Sequence, residues 1–202
     1  MKIISKIPAT NPQRHEKLIG DGWVALKEPQ SLMAAMAASI PLAVLNLMLT
    51  IGIFWLFQPF RMADFGFSPD GFSINISLPA VAVLLLLLIG HEMLHLMMVP
   101  NFLSSDRTYA GITYWGGFVY TEEEITKARF LLITIMPFIV ISVLLPLVLG
   151  SAGLLTATAM VFIMLNSMAS SVDTLTLILV ATQAPRESSL TNNGTRTYWK
   201  SK

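Results

Sequence analysis

Hydrophobic and polar positions along this chain separate into long blocks rather than alternating with a short period. A mixed leader over 1–30 gives way to an almost wholly apolar run over 31–57, broken only by Pro41 and Asn46. A polar and aromatic stretch follows, then a second apolar run over 78–100, a polar segment to 126, and two further apolar runs over 128–150 and 154–181. Each apolar run reaches the roughly 20 residues that a helix needs to cross a bilayer. The pattern therefore predicts four membrane-spanning helices, with Pro137 and Pro146 kinking the third. Between the second and third, Tyr109–Tyr114 and Phe118–Tyr120 are β-prone and flank Trp115-Gly116-Gly117, which suggests a short hairpin at the membrane surface. Glu122-Glu123-Glu124 after it resembles the acidic first turn of a helix. Residues 182–202, rich in Ser, Thr and Asn, read as a mobile tail.

Composition agrees: 54% of the 202 residues are hydrophobic and 12% charged, which marks an integral membrane protein. The fold class expected is all-α with four transmembrane helices and that one hairpin-like loop. A net charge of +1 gives no basic field for nucleic acid. Of the thirteen Lys and Arg, five precede the first span, one lies in the first loop, three in the second, none in the third and four in the tail. Four crossings put leader, second loop and tail on one side, and the positive-inside rule makes that side the cytoplasm of a cell-membrane protein. Trp23 in the leader reads as a headgroup anchor, and His15 as a solvated surface residue.

The chemistry lies in the second span. His91-Glu92-Met93-Leu94-His95 places two imidazoles four residues apart on one helix face, with a carboxylate one position round from the first. Two of only three His in the chain thus flank a Glu inside its most apolar segment, where ionisable groups are costly and function is the default reading. With no Cys in the chain, a metal has to be held by His and carboxylate. The fourth span supplies Asn166, Ser170 and Asp173 at i, i+4 and i+7, one polar stripe on an apolar helix. In the four-span arrangement Asp173 and the His pair fall in the same leaflet. His91, His95 and Asp173 are the candidate zinc ligands, and Glu92 the candidate general base for a zinc-activated water. Asn166 is a candidate for hydrogen bonding to the substrate backbone or the developing oxyanion, with a polar group that ties spans together as the equal alternative. Gly116 and Gly117 belong to a loop whose edge strand could clamp an extended substrate beside the metal.

These residues resemble the site-2-type intramembrane metalloproteases and, within them, the small bacterial zincin peptidases of the DUF3267 kind. The likeness rests on the His91–His95 motif in an early span, the Gly-rich loop after it, Pro137 in the next span and Asn166 to Asp173 in the last. Asp173 lies in Ser171-Val172-Asp173-Thr174, without the neighbouring Gly usual in the larger family. The resemblance implies zinc-dependent cleavage of a membrane-associated protein or peptide within or beside the bilayer. Two other classes fit the same metal site: a hydrolase of lipid amides or esters, and a non-catalytic zinc-binding adaptor or immunity protein. Retention of Glu92 argues against the last.

Overall fold

The computed structural model describes residues 1–59, 61–69, 71–72, 77–113 and 116–201. In chain order these form β1 (Lys2–Ile3), α1 (Pro12–Gly20), β2 (Val24–Ala25), α2 (Leu32–Phe54), a 3-10 turn (Met62–Phe65), β3 (Phe67–Ser68), β4 (Gly71–Phe72) and α3 (Leu78–Met98). There follow β5 (Thr108–Thr113), β6 (Gly116–Thr121), β7 (Ile125–Thr126), α4 (Lys127–Pro137), a π-helical segment (Phe138–Leu144) and α5 (Leu145–Ser151). The chain ends in α6 (Ala157–Ala169), α7 (Ser171–Gln183), β8 (Ser188–Asn193) and β9 (Arg196–Ser201).

Among the described residues, four helical segments are long and apolar enough to cross a membrane: Leu32–Phe54, Leu78–Met98, Lys127–Ser151 and Ala157–Gln183. Each starts on a hydroxyl cap. Ser31, Ser77, Thr126 and Thr156 are extended, and each side-chain oxygen accepts the backbone N–H three residues on. That satisfies one of the donors a helix leaves open at its start. Thr126 is the cap of α4, so Glu122–Glu124 lie ahead of it and are not its first turn, contrary to the sequence expectation. The third span does not simply kink at its prolines: at Pro137 it changes from α to π winding, and Pro146 sits where the winding returns from π to α at the start of α5. The fourth span is divided at Ser170, which ends α6 and precedes α7.

Polar side chains buried among these helices are paired. Asn46 donates to the Ser167 carbonyl (3.3 Å) and to Thr174 Oγ1 (3.0 Å), Thr50 donates to Ser167 Oγ (2.9 Å), and Ser171 donates to Ser39 Oγ (3.1 Å). These bonds lace α2 to α6 and α7, where an unpaired polar group would be expensive. Phe54, Leu155, Met160 and Ile163 pack together near the end of α2.

An all-α fold is not what forms. One sheet has the order β1-β5-β6 and another β2-β9-β8-β7, beside the small β3-β4 ribbon. The hairpin expected after the second span is present as β5-β6, but Gly116 and Gly117 belong to β6 itself, pairing with Thr113 and Ile112; Tyr114 and Trp115 lie outside the described residues. The segment anticipated as a mobile tail holds β8 and β9, whose Leu190 and Tyr198 are fully buried. Their turn, Gly194-Thr195, needs glycine twice over. Gly194 has φ +59°, and a Cβ there would stand 2.7 Å from backbone atoms of Pro8, Ala9 and Thr10. Trp23 is no headgroup anchor: it is buried with Leu18 and Tyr198. His15 is half-buried rather than solvated, its Nδ1 2.7 Å from the Tyr198 hydroxyl.

One sheet joins leader and second loop, and the other joins leader, second loop and tail. β1 of the leader pairs with β5 of the loop, β2 of the leader with β9 of the tail, and β7 of the loop with β8 of the tail. All three segments therefore meet at one end of the helices. Arg14 ties the sheets, bonding Glu122 Oε2 at 2.8 Å and the carbonyls of Glu122 and Asn192.

Candidate metal centre

The site is built where α3, the third span and the break in the fourth come together. His91 and His95, four residues apart on α3, are both buried and point the same way, with ring centroids 5.0 Å apart. Asp173 faces them from the first turn of α7. Its Oδ2 is 3.3 Å from His91 Nε2 and its Oδ1 is 3.6 Å from His95 Nε2. The interruption at Ser170 explains how a carboxylate sits this deep. It puts Asp173 at the positive end of a helix, a setting that favours negative charge. Thr174, beside it, donates to the Ser170 carbonyl (2.9 Å) and takes the amide of Asn46, so the turn is fixed.

The outer nitrogens of both rings are spoken for. His91 Nδ1 donates to Asn166 Oδ1 at 2.9 Å, and His95 Nδ1 donates to the backbone carbonyl of Ile133 at 2.7 Å. With the proton on Nδ1, each Nε2 presents a lone pair toward Asp173. Histidine metal ligands are oriented in this way. One ligand atom from each of His91, His95 and Asp173 lies within 4.8 Å of the others. Donors held about 2.0–2.1 Å from a tetrahedral zinc stand roughly 3.3 Å from one another. The donor set fits zinc, and the two histidine-to-carboxylate separations of 3.3 and 3.6 Å are close to that spacing.

Glu92, half-buried, lines the same cavity as the three ligands. This space of about 650 Å³ is walled on one side by β6 from Gly116 to Thr121. The backbone of β6 runs against Glu92: a Cβ on Gly117 would overlap Glu92 Cγ and stand 2.8 and 2.9 Å from its Cδ and Oε1. Gly116 has nothing within 4 Å of its missing Cβ. β6 pairs with β5 on one side only, so its other edge is open among the described strands.

Asn166 lines the same cavity, and its carboxamide ties the spans together. Its carboxamide accepts from His91 and donates to Ser142 Oγ (2.9 Å) and the Pro137 carbonyl (3.4 Å), which leaves both amide hydrogens engaged inside the protein. Sequence reasoning missed Ser142 and the Ile133 carbonyl. The first is one of many serines in apolar helices, and the second has no side-chain signature. A proline four residues after Ile133 was the only available signal. Glu122 and Glu123 are away from the metal centre, bound to Arg14 and to Ser105 Oγ (2.8 Å).

No curated protein and no solved structure matches this chain. One family model does, over residues 84–189, just over half of the sequence and a stretch that includes every residue of the metal centre and both outer partners of its histidines. On that match the chain belongs to the DUF3267 family, whose description reads "Putative zincin peptidase" and whose members are by that description zinc metallopeptidases.

Proposed function

We propose that the protein is a site-2-type intramembrane endopeptidase: zinc held by His91, His95 and Asp173, Glu92 as general base, and a membrane-associated protein or peptide as substrate. The observation that carries this reading is the convergence of two Nε2 atoms from α3 and one carboxylate from α7 at 3.3 and 3.6 Å, next to Glu92 in a cavity. Zinc, when bound, supplies a Lewis acid that makes a water acidic and polarises a carbonyl. The chain does the rest. Glu92 takes the proton released as a water attacks the scissile carbonyl and returns it to the departing amine. Asn166 and the Ile133 carbonyl hold the two rings so that their Nε2 lone pairs stay aimed at the metal.

The open edge of β6 supports a peptide rather than a lipid substrate. An extended chain added to that edge gains main-chain hydrogen bonds without regard to sequence, and its scissile bond is brought beside Glu92. The charge distribution supports an orientation with both sheets, leader and tail in the cytoplasm. Catalysis then takes place in the cytoplasmic half of the bilayer.

Purified protein in nanodiscs, offered a labelled transmembrane peptide or a lipid amide, separates the two substrate classes. Cleavage of the peptide by the wild type, and none by Glu92→Gln with its zinc still bound, is expected. Hydrolysis of the lipid alone, or undiminished peptide cleavage by Glu92→Gln, contradicts the proposal.

A further inference from the structure

We propose that Pro137 is a positioning residue of the metal centre: it keeps the Ile133 carbonyl out of the helix ladder so that His95 has a fixed acceptor. The inference rests on the zinc reading above and deepens it. In an α-helix the amide of residue 137 closes its bond on the carbonyl of residue 133. Proline has no N–H, and its ring crowds the carbonyl four residues back and pushes it off the axis. The next amide does not replace the lost donor, since Phe138 N–H goes to the Ile135 carbonyl. The Ile133 oxygen is left turned out of α4, and His95 Nδ1 donates to it at 2.7 Å.

The same proline sets up the other ring. From Phe138 the helix winds as π through Leu144, and such widened turns occur preferentially at functional sites. That winding brings Ser142 Oγ to 2.9 Å from Asn166 Nδ2, while the Pro137 carbonyl takes the second amide hydrogen at 3.4 Å. The carboxamide is thereby held with Oδ1 toward His91. One imino acid in the third span thus determines which nitrogen of each histidine is free.

Full-length Pro137→Ala and wild type in detergent, both stripped of metal, are titrated with zinc against a chelator. The variant is expected to bind zinc about 10- to 100-fold more weakly, the loss typical of removing an outer partner of a ligand. Its metal-free melting temperature is expected to be unchanged or higher, because alanine restores a ladder bond. Equal affinity overturns the proposal, as does a parallel fall in affinity and metal-free stability, which is the signature of a merely structural proline. A wild type that takes up no zinc overturns the proposed function itself and this inference with it. Should Pro137→Ala fail to fold, wild-type protein labelled with ¹⁵N-histidine decides. With three His in the chain the ring signals can be assigned. His95 is expected to keep its proton on Nδ1 while Nε2 shifts on zinc addition, and a zinc-induced shift at Nδ1 overturns the proposal.

Discussion

Gly117→Ala places a methyl group where the structure has the Glu92 side chain. The new Cβ overlaps Cγ of Glu92 and lies 2.8 Å from Cδ and 2.9 Å from Oε1, separations that packed carbon atoms do not sustain. Either β6 lifts or the carboxylate swings aside, by on the order of 1 Å. A displacement of that size at a reacting group costs about 100-fold in rate, or about 2.7 kcal/mol of transition-state stabilisation. The ligand atoms of His91, His95 and Asp173 are not touched, so zinc stoichiometry should stay at the wild-type value. Steady-state cleavage of a transmembrane peptide in nanodiscs reads both quantities, with zinc measured on the same samples. Gly111→Ala is the control. Its Cβ would strike the Ile4 carbonyl and the Phe118 ring, straining the same sheet through atoms other than those of Glu92. The expected pattern is a fall in kcat for Gly117→Ala that exceeds the fall for Gly111→Ala. Wild-type kcat in Gly117→Ala, or equal losses in the two variants, would refute the argument that β6 positions the base.

Other outcomes follow from the same geometry. Asn166→Ala removes the acceptor of the buried His91 Nδ1–H, and zinc affinity measured by chelator competition should weaken about 10- to 100-fold. Burial pushes the Glu28 carboxyl up from its ordinary range, against the hydrogen bonds from Thr197 that pull it down. A raised carboxyl pKa in the fold means that its stabilising contribution is present in acid and lost as pH rises through the folded value. Glu28→Gln should therefore gain melting temperature relative to wild type between pH 4 and pH 7, and a difference independent of pH would contradict this. A cysteine placed in the link between the third and fourth spans, at Ala152, should react with an impermeant maleimide from outside intact cells. Labelling of one at Lys2 instead would invert the orientation.

How far the sequence discloses this molecule depends on whether the information is local. The four spans are plain from apolar length, and their ends differ from expectation by a few residues because hydroxyl caps at Ser31, Ser77, Thr126 and Thr156 fix the starts. His91 and His95 are legible because helical spacing puts both on one face. Asp173 is legible as the one acid on a polar stripe of the last span, although the break at Ser170 that gives it a helix N-terminus is not. Strands are where sequence reading fell short. β1, β2 and β7 are two residues each and form only because distant partners exist. The β8-β9 hairpin carried a local signal, Asn193-Gly194 between Thr, Tyr and Trp residues, which the polar composition of the segment outweighed. The partner of His95 is a backbone oxygen, invisible to any reading of side chains, and only Pro137 four positions later betrays it.

The central claim is that two imidazoles and one carboxylate from separate spans hold a single zinc ion. Metal analysis of the purified chain beside Asp173→Ala and Glu92→Gln tests it most directly. Close to one zinc per chain is predicted for the wild type and for Glu92→Gln, with most of it lost from Asp173→Ala. Full zinc in Asp173→Ala, or a wild type that takes up none, would contradict the account.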